Sequence, residues 1–168
     1  MPVQRRQLLK NAFFPPVSIL GLGGAPLGNF FNQVEEPAAE AVVERCLQLG
    51  ICYFDTAPSY GAGVSETRIG KVLRRYPREQ FVISTKVGYR ILEGERTPDF
   101  SVKGVWASIE ESLNRMQVER IDIALMHDIE RHLEMAYDEA LPALLELKQQ
   151  GRIKAVGAGM NQWQIPYE

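Results

Sequence analysis

Phe81-Val82-Ile83-Ser84-Thr85-Lys86, a helical stretch from Ser101 to Met116, and Ile121-Asp122-Ile123-Ala124-Leu125-Met126 form the strand–helix–strand unit from which the fold is read. Both flanking runs are rich in β-branched residues and nearly continuously apolar, as strands covered on both faces are. Between them Val105, Ile109 and Leu113 recur four apart, an apolar stripe at helical spacing. Neighbouring parallel strands need a crossover of this kind, so the unit predicts two parallel strands with a helix on one face.

The same alternation continues on both sides. Upstream, Ile51-Cys52-Tyr53-Phe54-Asp55 reads as a strand, and Ser65 opens a helix with Glu66 in its first turn, Ile69, Val72 and Leu73 as its stripe and Tyr76-Pro77 as its stop. Before that, Pro37 opens a helix that runs to Leu49, with Ala38, Ala41, Val42, Cys46 and Leu49 on one side and Gly50 after its end. Val17-Ser18-Ile19-Leu20-Gly21-Leu22-Gly23 reads as the first buried strand. Downstream, a helix is predicted from about Asp138 to Gln150, with Gly151 as its cap and Ile153-Lys154-Ala155-Val156-Gly157 as a fifth strand. Asn161 to Glu168 carry no further element. Five alternations of strand and helix predict an α/β fold with a parallel sheet under helices, either doubly wound or of the (β/α) barrel type. No linker interrupts the series, so residues 1–168 read as a single domain.

Composition narrows the function classes. At 45% hydrophobic and 24% charged residues the 168-residue chain is too apolar for disorder. Nineteen Lys plus Arg against twenty-one Asp plus Glu leave a net charge of −2, so a nucleic-acid partner has no electrostatic support. No apolar run reaches the roughly 20 residues that span a bilayer. Two cysteines, Cys46 and Cys52, fit a reducing compartment and hence a cytoplasmic location. Arg5-Arg6 has a twin-arginine look, but Pro15-Pro16 break the apolar helix that an export signal needs, and a lead-in hairpin is expected instead.

In parallel α/β folds the chemistry gathers at the C-terminal ends of the strands. There the sequence sets Asp55 followed by Tyr60-Gly61, then Lys86, then His127-Asp128, and after the fifth strand Met160-Asn161-Gln162. Taken singly, each has a bland explanation as a turn former or a solvated end. Together they are a carboxylate, a phenol, an ammonium and an imidazole on one rim, each from its own βα unit, and packing does not require that set. An ammonium beside a phenol favours phenolate, and a carboxylate holds the ammonium charged. Such a phenol serves as general acid or base at a carbonyl oxygen, and an imidazole orients that oxygen. The set suits reversible carbonyl–alcohol interconversion beside a nicotinamide.

Tyr53-Phe54-Asp55-Thr56-Ala57-Pro58-Ser59-Tyr60-Gly61 with Ser65-Glu66 resembles the signature of the aldo-keto reductase family. Ser84-Thr85-Lys86-Val87-Gly88 and Ile121 to Asp128 resemble its next two motifs, in order, and the resemblance runs from about Val17 to Gln162. Leu22-Gly23-Gly24-Ala25-Pro26-Leu27-Gly28 and Val156-Gly157-Ala158-Gly159-Met160-Asn161-Gln162 are similar to a branch with aldose 1-dehydrogenases of fucose, threo-aldose and galactose type and pyridoxal dehydrogenases.

The resemblance implies an NAD(P)-dependent oxidoreductase of aldoses or aldehydes, with NAD or NADP as cofactor. Tyr60 would be the proton donor or acceptor, Asp55 and Lys86 would tune it, and His127 would orient the substrate carbonyl. Gly23, Gly24, Ala25 and Asp55 would border the cofactor and Asn161 would hold its carboxamide; no metal is implied. Glu66 occupies a recurrent family position and is read here as a helix-start residue. His132 reads as surface, and Trp106 and Trp163 read as packing residues.

The family fold is an eight-stranded barrel of roughly 250 residues. Five β/α units are counted here, so the chain is expected to be incomplete at its C-terminus, without the units that hold the cofactor's pyrophosphate and adenosine side. An inactive chain that self-associates, or pairs with a partner, through the open sheet edge is the alternative expectation. A nucleotide-binding open sheet is disfavoured, because Gly21-Leu22-Gly23-Gly24-Ala25-Pro26 places proline where G-x-G-x-x-G needs glycine.

Overall fold

The computed structural model describes residues 3–8 and 14–162, so Trp163 lies outside the described residues. A short antiparallel hairpin, β1 (Arg5–Arg6) against β2 (Val17–Ser18), precedes the sheet, as the prolines suggested. The sheet follows chain order: β3 (Leu22–Gly23), β4 (Tyr53–Asp55), β5 (Val82–Leu92), then β7 (Ile121–His127) and β8 (Ile153–Gly159), all parallel. Helices α1 (Glu36–Gln48), α2 (Val64–Leu73) and α3 (Val102–Met116) fill the first three crossovers. The last crossover holds α4 (Leu133–Met135), a π-helical turn (Ala136–Ala140) and α5 (Leu141–Gln149). The architecture is of the (β/α) barrel type with five β/α units.

Alternation along each strand separates two packed layers. Phe54, Ile83 and Ala124 face the helices and join Ile69, Val72, Val105, Ile109, Leu144 and Leu147 in the larger core. On the other face Val82, Tyr53, Ile123 and Ala155 meet Phe14, Val17 and Cys52, so the lead-in segment covers the N-terminal end of that face. Trp106 packs against the larger core, as a packing residue should.

The structure corrects four sequence readings of the fold. Val17 to Gly23 is two strands: Val17–Ser18 belongs to the hairpin and only Leu22–Gly23 to the parallel sheet, because Ser18 is engaged by Cys52 through hydrogen bonds of 2.9 and 3.2 Å. The buried face of α1 carries Ala39 and Val43, while Val42 and Leu49 are exposed. Ion pairs of Glu36 and Glu40 with Lys71, and of Glu40 and Glu44 with Arg75, then line the exposed side of the α1–α2 contact. The third parallel strand runs on to Leu92 and turns back as β6 (Glu95–Asp99), an antiparallel arm that the sequence reading missed. Its two-residue turn has Glu93 at φ 52° and Gly94 at φ 87°, the positive pair that a tight hairpin turn requires. The helix expected from Asp138 starts earlier, at Leu133.

Candidate functional site

Tyr53 and Asp55 on β4, Val82, Ser84 and Lys86 on β5, and Ile123, Leu125 and His127 on β7 share one face, since side chains alternate and the strands pair Asp55 with Ser84 and Lys86 with Leu125. Apolar side chains occupy that face at the N-terminal end and polar ones at the C-terminal end.

There the Lys86 ammonium donates to Asp55 Oδ2 at 2.6 Å and to the Thr56 carbonyl at 2.9 Å, with only 8% of its side chain exposed. The other carboxylate oxygen, Asp55 Oδ1, accepts from Ser84 Oγ at 2.6 Å, so Ser84 in turn accepts from the Tyr53 hydroxyl at 3.0 Å. Burial raises the Tyr53 phenol above its ordinary value, partly offset by that bond to Ser84. The Lys86 ammonium also stands 4.8 Å from the centre of the Tyr60 ring.

Tyr60 comes from the loop after β4, and a backbone contact pins that loop. A Cβ on Gly61 would lie 2.1 Å from the Gly28 carbonyl oxygen, and one on Gly28 would lie 2.5 Å from the carbonyl of Tyr60. Two glycines therefore let the loops after β3 and β4 touch. The Tyr60 and His127 rings meet edge to face with centres 6.1 Å apart. Burial pushes the His127 imidazole down to about 4, against the opposing pull of the Asp128 carboxylate, with Lys86 and Arg96 adding to the fall. His127 is therefore neutral near pH 7, with one ring nitrogen to donate and one to accept.

Asp55, Tyr60, Lys86 and His127, predicted from the strand ends, come together. The cofactor candidates are less uniform. Gly23 is exposed, with open space where a Cβ would stand, and lines a cavity of about 460 Å³ together with Tyr53 and Asp55. Gly24 is buried; its N–H goes to the Asp55 carbonyl at 2.7 Å and its carbonyl accepts from Ser65 Oγ at 2.8 Å, so its backbone ties β3 to α2 and β4. The Ala25 carbonyl is taken by the turn at Pro26–Gly28. Asn161 is exposed and donates from Nδ2 to Asp128 Oδ1 at 3.1 Å, which leaves its carbonyl oxygen and one N–H for an amide partner.

Two residues read as bland are otherwise. Glu66 is fully buried and accepts from Thr85 Oγ1 and Arg115 Nε, each at 2.6 Å, tying α2 to β5 and α3 directly behind Lys86. His132 is half-buried, stacked on Phe100 at 5.2 Å and set edge-on to Tyr89. The sequence reading missed Ser84, Tyr89, Arg96 and Phe30. Ser84 was detectable, since it lies two positions before Lys86 on the same strand face. Phe30, 63% exposed, has its ring 6.2 Å from Tyr60, and its only sequence signal is the unusual pair Phe30-Phe31 in a polar loop.

Among the described residues, no helix is long and apolar enough to cross a membrane, and no cluster of three or more potential ligand side chains suits a metal.

Comparison with known proteins gives the family. A D-threo-aldose 1-dehydrogenase of a Pseudomonas species is 41% identical over 165 residues, 85% of this chain and 50% of its own length. An L-galactose dehydrogenase of Arabidopsis thaliana is 43% identical over 144 residues, 84% of this chain and 44% of its own. The chain thus spans about half the length of the curated relatives it matches. A holo-form aldo-keto reductase structure from Bacillus halodurans superposes with a TM-score of 0.85 at 30% identity, covering 98% of this chain and 53% of that one. Residues 19–166 match the profile of the Aldo/keto reductase family. With the profile spanning most of its length and the ordered strand-end residues in place, the chain belongs to the aldo-keto reductase family.

Proposed function

We propose that the site belongs to an NAD(P)-dependent oxidoreductase that interconverts an aldose or aldehyde with its lactone or alcohol. One observation carries the reading: Lys86, anchored by Asp55 at 2.6 Å, stands 4.8 Å from the Tyr60 ring centre, with His127 edge-on to the same ring. The bound nicotinamide would accept or supply the hydride. Tyr60 takes the proton from the substrate hydroxyl in the oxidative direction and returns it to the carbonyl oxygen in the reductive one. Lys86 sets a positive charge 4.8 Å from the Tyr60 ring centre during that transfer, and Asp55 keeps Lys86 in place. Neutral His127 donates from one ring nitrogen to the substrate oxygen and fixes its position. Gly23, Asp55 and Asn161 border the nicotinamide end. The aldose dehydrogenases among the relatives support a sugar as substrate, and the free thiols of Cys46 and Cys52 support a reducing, cytoplasmic setting.

The test is absorbance at the reduced-nicotinamide band with NAD and NADP, separately, over a panel of aldoses and aldehydes. The unsubstituted chain is expected to turn over at least one sugar, and Tyr60→Phe to lower that signal by about 10²- to 10⁴-fold while binding NADH or NADPH unchanged by fluorescence. Full activity in Tyr60→Phe overturns the assignment of the proton carrier.

One observation favours a second reading, an inactive chain that self-associates. Among the described residues β8 pairs only with β7, so its seven residues present one unpaired edge. Sizing chromatography decides it: a concentration-dependent dimer supports that reading, and a monomer at all concentrations ends it.

A further inference from the structure

The antiparallel arm β5–β6 reaches the rim beside His127, and its meeting point with the rim is Asp128. Arg96, on β6, donates from Nη2 to Asp128 Oδ2 at 2.7 Å, and its guanidinium carbon lies over the Tyr89 ring, 3.5 Å from its centre. Asp128 Oδ1 accepts from Asn161 Nδ2 at 3.1 Å. The Asp128 backbone is tied as well: its N–H donates to the Gly159 carbonyl at 2.7 Å, and it holds the left-handed conformation at φ 48°. His127 Nε2 stands 3.7 Å from the same Oδ2 that Arg96 binds, beyond hydrogen-bond reach.

A carboxylate beside an imidazole normally draws a proton onto it. Here that carboxylate has both oxygens engaged by other donors. We propose that Arg96 and Asp128 are positioning residues: Arg96, carried on the arm, holds the Asp128 carboxylate off His127 and against Asn161, so that the imidazole which orients the substrate and the amide placed for the nicotinamide keep one fixed spacing. The arm thereby becomes part of the site, acting through Asp128 and touching neither reacting atom. The inference deepens the proposed function and rests on it for its catalytic meaning, whereas the physical coupling it describes exists with or without turnover.

The groups that face His127 are Asp128 on its own strand end, Lys86 from β5, Arg96 from β6 and Asp55 from β4, with the Tyr60 and Tyr89 rings against its edges. Burial, Lys86 and Arg96 push its titration down, and Asp128 and Asp55 pull it up. Removing Arg96 takes away one repelling charge and frees an attracting one.

The test is a pH titration of histidine ring resonances by 1H–13C NMR on the full 168-residue chain, without cofactor or substrate. The chain has two histidines, and His132→Gln assigns them. His127 is expected to titrate at about 4 in the parent chain. In Arg96→Gln it is expected to rise by about one pH unit, with Arg96→Lys restoring the parent value. In Asp128→Asn it is expected to fall, and adding Arg96→Gln to that background is expected to produce less than half of the single-variant shift. The Asn161 side-chain amide resonances are expected to move in Asp128→Asn and in Arg96→Gln. An unchanged His127 in Arg96→Gln, or a shift of equal size in the Asp128→Asn background, overturns the proposal. Because nothing is turned over in this experiment, its failure leaves the proposed reaction standing, and an inactive chain leaves the coupling standing.

Discussion

The sheet carries a paired aspartate at each end, and the two pairs are built for different purposes. At the N-terminal end Asp122 is 1% exposed; its Oδ2 accepts from Arg78 Nη2 at 2.6 Å and from the Ile83 N–H at 2.9 Å, and Lys154 Nζ lies 3.0 Å from Oδ1. That carboxylate is buried, doubly bonded through Oδ2 and faced by an ammonium at Oδ1. At the C-terminal end Asp55 is bound as tightly to Lys86, but a quarter of its side chain stays exposed, and it faces a cavity. The same chemistry is closed into a clamp at one end and left accessible beside a phenol and an imidazole at the other. In barrels of this type the first end serves stability and the second serves catalysis.

The sharpest break of that comparison is expected from Tyr60→Phe, which leaves the Asp55–Lys86 pair intact and removes only the hydroxyl proposed above as the proton carrier. Turnover is expected to fall by about 10²- to 10⁴-fold with an unchanged melting temperature. Asp122→Ala is its counterpart at the closed end. Leaving the Arg78 and Lys154 charges without their partner is expected to cost about 3–5 kcal/mol in chemical denaturation. If Asp122→Ala costs no more than a surface substitution, the division of labour between the two ends fails.

A pH scan sharpens the contrast further. His127 is held near 4 in the folded chain against an ordinary value of 6.5. Between those values the unfolded chain binds the extra proton, so stability is whole above about pH 6.5 and declines as pH falls towards 4, by up to about 3 kcal/mol. Urea unfolding at pH 7 and pH 5 measures it, and His127→Gln is expected to flatten that part of the profile. The smallest effect separates adjacent valines of α1. Val43→Ala is expected to cost about 2 kcal/mol and Val42→Ala less than about 0.5 kcal/mol, because only Val43 lies in the core.

That last pair also marks where the sequence stops being readable. The five βα units are legible because strands buried on both faces leave continuous apolar runs, and the four rim residues are legible because strand ends can be located from those runs. The rotation of α1 is not legible: two adjacent apolar stripes are available, and only the assembled fold shows that Ala39 and Val43 take the core. Glu66 looks like any first-turn glutamate until Thr85 and Arg115 close on it across 19 and 49 residues. The arm β5–β6 hides in a stretch too polar to read as core, where only Glu93-Gly94 hints at the turn. Local periodicity reports burial; it does not report which distant partner a residue meets.

The order of the parallel strands has a further consequence. β3, β4, β5, β7 and β8 lie side by side in the order in which they are synthesised, so each unit leaving the ribosome meets a finished edge and waits for nothing downstream. Synthesis at about 5–20 residues per second gives each unit seconds to dock, long compared with helix formation and collapse. The growing sheet is thus its own template, extended one crossover at a time from β3.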